Sequence, residues 1–88
     1  MFVIYIIEDD ESLRDNIRLL LKNNGFYCLT FKNGLEALRT MHKALIPDLI
    51  ISAVTNPVYD GIRLYENLNS NSRLKEIPFI LLSEKDEN

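Results

Sequence analysis

The chain has 88 residues, 47% hydrophobic and 26% charged, with a net charge of −3. That balance excludes a disordered tail and fits one small domain with a modest core. Lys22, Lys32, Arg39, Lys43, Lys75 and Lys85 are scattered, so no basic stripe is offered to a nucleic acid.

The opening run "FVIYII" (2–7) is apolar, β-branched and aromatic, which predicts a strand buried on both faces. It is too short to span a bilayer, and no basic start precedes it as in a signal peptide. "EDDES" then predicts a helix start, with Asp9 or Asp10 as the cap. Leu13, Ile17, Leu20 and Leu21 mark its inward face, and Gly25 suits the left-handed position that ends it.

"FYCLTF" (26–31) is the second predicted strand, and "KNG" a turn. It holds the chain's one cysteine, Cys28, expected as a small buried residue. A lone thiol forms no internal disulfide and suits a reducing compartment, so a cytoplasmic location is expected, with no membrane contact. Leu35, Leu38, Met41 and Leu45 mark the inward face of a second helix, and "DLIISAV" (48–54) a third strand. After Gly61, Ile62, Tyr65 and Leu68 repeat at helical spacing. "SNS" (70–72) breaks that pattern, and "PFILLS" (78–83) predicts a fourth strand before the closing "EKDEN". Strands alternating with helices imply right-handed crossovers and a mostly parallel sheet covered on both faces.

Sites in such sheets lie beyond the carboxyl ends of the strands. Glu8, Asp9, Asp10 and Glu11 follow the first strand, and a group of acids there suits a hard cation such as Mg²⁺. Ala53, Val54, Thr55 and Asn56 stand at the end of the third strand, and Ser83 at the end of the fourth. The glycines are Gly25, Gly34 and Gly61, which excludes a dinucleotide fingerprint and a P-loop. His42 stands alone, and no Cys/His set has zinc spacing.

Taken together, "VIYIIEDDESLR", "NGLEAL", "PDLIISAVTNPVYDG" and "IPFILLS" resemble the receiver domain of two-component response regulators. The resemblance runs along essentially the whole chain. It implies an α/β flavodoxin-like fold, a doubly wound parallel sheet of strand order 2-1-3-4-5. By the same resemblance Glu8, Asp9 and the backbone carbonyl of Thr55 would hold Mg²⁺. Pro57, Asp60 and Gly61 match the loop into the third helix, and Ser83 the switch hydroxyl that turns toward a phosphoryl group.

Two departures from the family pattern matter. Its phosphoacceptor aspartate falls on Ala53, which has no oxygen to attack phosphorus. The domain is then either a receiver that has lost its acceptor or an Asp→Ala substitution of an active one. Secondly, residues 1–88 match only the (βα)₃β portion of the five-stranded family fold. The segment with the fifth strand, its lysine and the last helices is missing from the match.

The expected function is therefore a regulatory and interaction module in phosphorelay signalling, not an enzyme, with weak Mg²⁺ binding. Its partners would be a histidine kinase or another signalling protein. A homo-oligomer is also expected, through an exposed fourth strand or an uncovered sheet face. The alternatives are a structural assembly module with a vestigial pocket and a Mg²⁺-dependent phosphatase.

Overall fold

The computed structural model describes residues 1–43 and 45–83. The elements are β1 (Val3–Ile7), α1 (Glu11–Asn23), β2 (Tyr27–Phe31), α2 (Gly34–Lys43), β3 (Leu49–Ala53), α3 (Gly61–Asn69) and β4 (Phe79–Leu82). All strand pairings are parallel, and the sheet order is β2-β1-β3-β4. This is the α/β flavodoxin-like arrangement, with a crossover helix after each of the first three strands.

β1 sits inside the sheet, and every one of its residues is buried. Val3, Tyr5 and Ile7 face a core built with Leu38 and Met41 of α2, Leu64 and Leu68 of α3, and Leu74. Ile4 and Ile6 alternate onto the opposite face, where α1 packs on β1 and β2. The continuous apolar run of β1 is the signature of a strand covered on both sides. Asp48 ties β3 to β1 before the strand begins. Its carboxylate accepts from the Val3 N–H at 2.7 Å, and its own N–H donates to the Val3 carbonyl at 2.8 Å.

The helix faces differ from the sequence pattern in detail. On α1, Leu13, Ile17 and Leu21 are half-buried as expected, but Leu20 is turned outward. The α2 stripe is Gly34, Ala37, Leu38 and Met41, whereas Leu35 and Leu45 are exposed. On α3 the buried positions are Gly61, Leu64 and Leu68, and Ile62 and Tyr65 are exposed. Large apolar side chains drew the expected stripe in each case, while small residues let the helices approach the sheet. Tyr65 still packs its ring edge-on against Phe79, with centroids 5.5 Å apart.

The caps follow the sequence closely. Asp10, not Asp9, caps α1 by accepting from the Leu13 N–H at 3.0 Å. At the other end Gly25 takes a φ of 90°. Its N–H reaches the Lys22 carbonyl, and the Phe26 N–H reaches that of Leu21, a Schellman closure. The polar break at 70–72 hides a turn that matters to the core. Asn71 accepts from the N–H groups of Arg73 and Leu74, and Leu74 is thereby inserted at 1% exposure. Cys28 is only half-buried, because β2 is an edge strand.

Tyr5 is fully buried, and its hydroxyl donates to the Leu45 carbonyl. Burial raises its phenol above the ordinary value. A raised value means that the folded state holds the proton more tightly than the unfolded chain does. The associated stability is complete below the unfolded phenol's value of about 10 and is lost as pH climbs through the folded one. Tyr5→Phe is expected to cost about 1 kcal/mol at neutral pH through the lost hydrogen bond. It should also flatten the alkaline decline, as urea unfolding at neutral pH and at about pH 11 would show. An alkaline decline as steep as that of the parent would refute the assignment to Tyr5.

Candidate functional site

Three strand ends meet on one side of the sheet. Glu8 and Asp9 after β1, Ala53 at the end of β3, and Leu82 and Ser83 at the end of β4 line one cleft with Thr55 and Pro57. Its volume is about 440 Å³.

The four consecutive acids after β1 do not act together, because the backbone turns through them. Glu8 extends the β1 ladder, its N–H donating to the Phe31 carbonyl at 3.0 Å, and it is buried. Its carboxylate accepts from the Asp10 N–H at 2.9 Å, and its carbonyl accepts from the Arg14 guanidinium at 2.9 Å. Asp10 is committed to the α1 cap and Glu11 lies in the first helical turn. Glu8 and Asp9 are thus the two acids that reach the cleft wall.

Ala53 stands between these acids and Ser83, buried at 8% exposure, and presents a methyl group. Ser52 beside it points the other way, and its hydroxyl donates to the Ala53 carbonyl at 3.0 Å. The Val54 N–H donates to the Leu82 carbonyl at 2.9 Å, which keeps β3 and β4 together up to the cleft.

The loop after β3 is shaped by Asn56, which the sequence reading placed at the strand end without a role. Asn56 is buried at 7% exposure. Its side-chain oxygen accepts from the N–H groups of Val58 and Tyr59 at 3.1 and 3.3 Å, and its amide donates to the Lys32 carbonyl at 2.8 Å. That is an Asx-type turn stapled to the β2–α2 connection, and the Asn-Pro pair in the sequence was its signal. The turn sets Thr55 and Pro57 on the cleft wall.

Asp60 and Gly61 lie outside the cleft lining. Asp60 caps α3 by accepting from the Arg63 N–H at 2.8 Å. Gly61 brings the helix start against β3, with its N–H on the Val54 carbonyl at 2.9 Å. A Cβ there would sit 2.4 Å from the Ala53 carbonyl oxygen. These two residues hold the loop in place.

Glu8, Asp9, Ala53, Thr55, Pro57 and Ser83 are therefore gathered in one place. Chemically the cleft is lined by oxygen-bearing residues, the acids Glu8 and Asp9 and the hydroxyl residues Thr55 and Ser83. Such donors suit a hard cation such as Mg²⁺, although Ala53 leaves the set without a third carboxylate. Among the described residues, no three His, Cys, Asp or Glu side chains cluster with metal-ligand spacing. No helix among them is long and apolar enough to cross a membrane.

Fold and cleft define a parallel α/β domain with an acidic site at its strand ends. The family model of the response regulator receiver domain matches residues 4–88, and the chain belongs to this family. It is 34% identical over 85 residues to the two-component response regulator-like APRR3 of Arabidopsis thaliana, covering 94% of this chain and 17% of that protein. It is 31% identical over 84 residues to the alkaline phosphatase synthesis transcriptional regulatory protein PhoP of Bacillus subtilis, covering 96% of this chain and 34% of that one. The chain thus spans about a third or less of the length of these relatives. The fold matches the signal receiver domain of a signal transduction histidine kinase from Syntrophus aciditrophicus, with a TM-score of 0.90 and 33% identity. That match covers 99% of this chain and 65% of the other. Receivers of this family are regulatory domains of two-component phosphorelay signalling.

Proposed function

We propose that the chain is a receiver module that acts through contacts with a histidine kinase or another signalling protein and takes no phosphoryl group at its centre. The observation that carries this reading is Ala53, a methyl group between the Glu8–Asp9 wall and Ser83. Aspartyl-phosphate chemistry needs a carboxylate oxygen to attack phosphorus, and a methyl group supplies none. Glu8, Asp9 and the carbonyl of Thr55 are the residues to hold Mg²⁺, which when bound neutralises charge on phosphoryl oxygens. Ser83 offers a hydroxyl to such an oxygen. With one carboxylate fewer, the cation is held weakly. An enzymatic reading such as a phosphatase is not favoured, because among the described residues no cleft hydroxyl is hydrogen-bonded to a general base. The same reading puts the module in the cytoplasm, where a lone thiol such as Cys28 stays reduced.

Incubation with acetyl phosphate and Mg²⁺, followed by intact mass measurement, tests it. The expected spectrum shows the unmodified chain alone. A labile phosphoryl adduct would overturn the proposal.

Self-association of the 88-residue polypeptide is favoured by a separate observation. β4 is an edge strand, and Ile80, Leu81 and Leu82 are 46%, 39% and 38% exposed. Pro78 guards its start, but "FILL" contains no charge or proline to blunt the edge. An apolar edge of this kind pairs with another chain or packs a face against it. Sedimentation over a range of concentrations should show dimers or larger species, and Ile80→Lys should shift the distribution to monomer. A parent chain that stays monomeric at high concentration would refute this assembly.

A further inference from the structure

A second cleft opens at the other edge of the sheet, between the C-terminal half of α1 and β2. It is lined by Arg18, Lys22, Phe26, Tyr27 and Cys28, with a volume of about 180 Å³. Arg18 and Lys22 are one turn apart on the same face of α1. Among the described residues neither side chain makes a hydrogen bond or ion pair. Phe26 and Tyr27 are 39% and 48% exposed, and the Phe26 ring is braced edge-on by Phe2 at a centroid distance of 6.0 Å. Burial pushes the Cys28 thiol up, while the Arg18 charge pulls it back down, so the guanidinium is felt at the sulfur.

Two cations beside two open rings recognise a planar group that carries negative charge. The rings supply a stacking face, and the guanidinium and ammonium supply charge-assisted hydrogen bonds. The volume is that of about six water molecules, which suits one ring with one anionic group and is too small for a nucleotide. We propose that the cleft between α1 and β2 binds a small aromatic anion, an aryl carboxylate or aryl phosphate. The site is separate from the Ala53 cleft, and the proposal stands or falls independently of the receiver reading.

The test is titration of the 88-residue protein with phenyl phosphate and with benzoate, using inorganic phosphate and phenol as controls. Two readouts apply: the backbone amide NMR signals of residues 26–28, and the rate of Cys28 alkylation by iodoacetamide. The expected result is saturable shifts with one or both aryl anions and slower alkylation, with much weaker effects from either control. The double substitution Arg18→Gln with Lys22→Gln should weaken binding about tenfold or more. Should that variant fail to fold, Lys22→Gln alone, at an exposed side chain, gives the same comparison. The proposal is overturned if inorganic phosphate or phenol binds as well as the aryl anions. It is also overturned if the variants bind unchanged, or if no titration saturates.

Discussion

Gly61→Ala is expected to destabilise the domain by about 3 kcal/mol, the upper end of the cost of forcing extra atoms into a packed site. The new methyl would stand 2.4 Å from the Ala53 carbonyl oxygen, 2.8 Å from a Leu81 methyl and 3.1 Å from the Ser52 hydroxyl. The carbonyl is backbone and cannot swing aside. The adjoining groups are also tied: Val54 N–H to Leu82 at 2.9 Å, and Gly61 N–H to Val54 at 2.9 Å. Relief therefore requires the start of α3 to back away from β3, which disturbs the loop that carries Thr55 and Pro57. A domain of this length has only about 4–13 kcal/mol of stability in total. Gly25→Ala is the control. Nothing lies within 4 Å of a Cβ there, and the cost is the left-handed backbone alone, about 1 kcal/mol. Urea unfolding of the two variants measures the difference. A Gly61→Ala domain as stable as the Gly25→Ala one would show that the helix start is free to shift.

Ala53→Asp is expected to raise Mg²⁺ affinity by about tenfold or more. The substitution adds a third carboxylate to a wall that already holds Glu8 and Asp9. The same change should lower thermal stability in the absence of metal, because a third anion is brought against two others. Divalent cation should then restore the loss, since a ligand that binds only the folded state stabilises it by mass action. The expected pattern is a crossed one. Ala53→Asp melts below the parent chain in chelator and recovers in Mg²⁺, while the parent barely responds. Equal Mg²⁺ responses in both proteins would place the cation away from position 53.

Much of this arrangement was legible in the sequence because the signals are local. "FVIYII" reads as a doubly covered strand because its residues are all aliphatic or aromatic. Gly25 reads as a helix end because few other residues take a φ of 90°. The grouping of Glu8, Ala53 and Ser83 was also readable, once each was placed at the carboxyl end of a parallel strand. The helix faces were harder. Ala37 and Gly61 are buried, yet Leu20, Ile62 and Leu35 are exposed. Hydrophobicity alone ranks those residues in the opposite order.

The sequence by itself determined the alternation of elements, the helix end at Gly25, the family and the absence of a side-chain oxygen at position 53, because each depends on residue identity and near neighbours. Tertiary structure alone decided which residues share a contact. Asn56 becomes a loop staple only because Lys32, 24 residues away, brings its carbonyl within 2.8 Å. Leu74 becomes core only because the turn at Asn71 folds it back under β1. Asp9 rather than Asp10 faces the cleft because one carboxylate is consumed by the helix start, a choice made by backbone direction. Cys28 is left half-covered because sheet order places β2 at an edge. Where the deciding contact is long-range, as for Asn56 with Lys32 and β2 with β1, it joins atoms that a one-dimensional pattern does not bring together, and its energy is gained only after the chain has closed on itself.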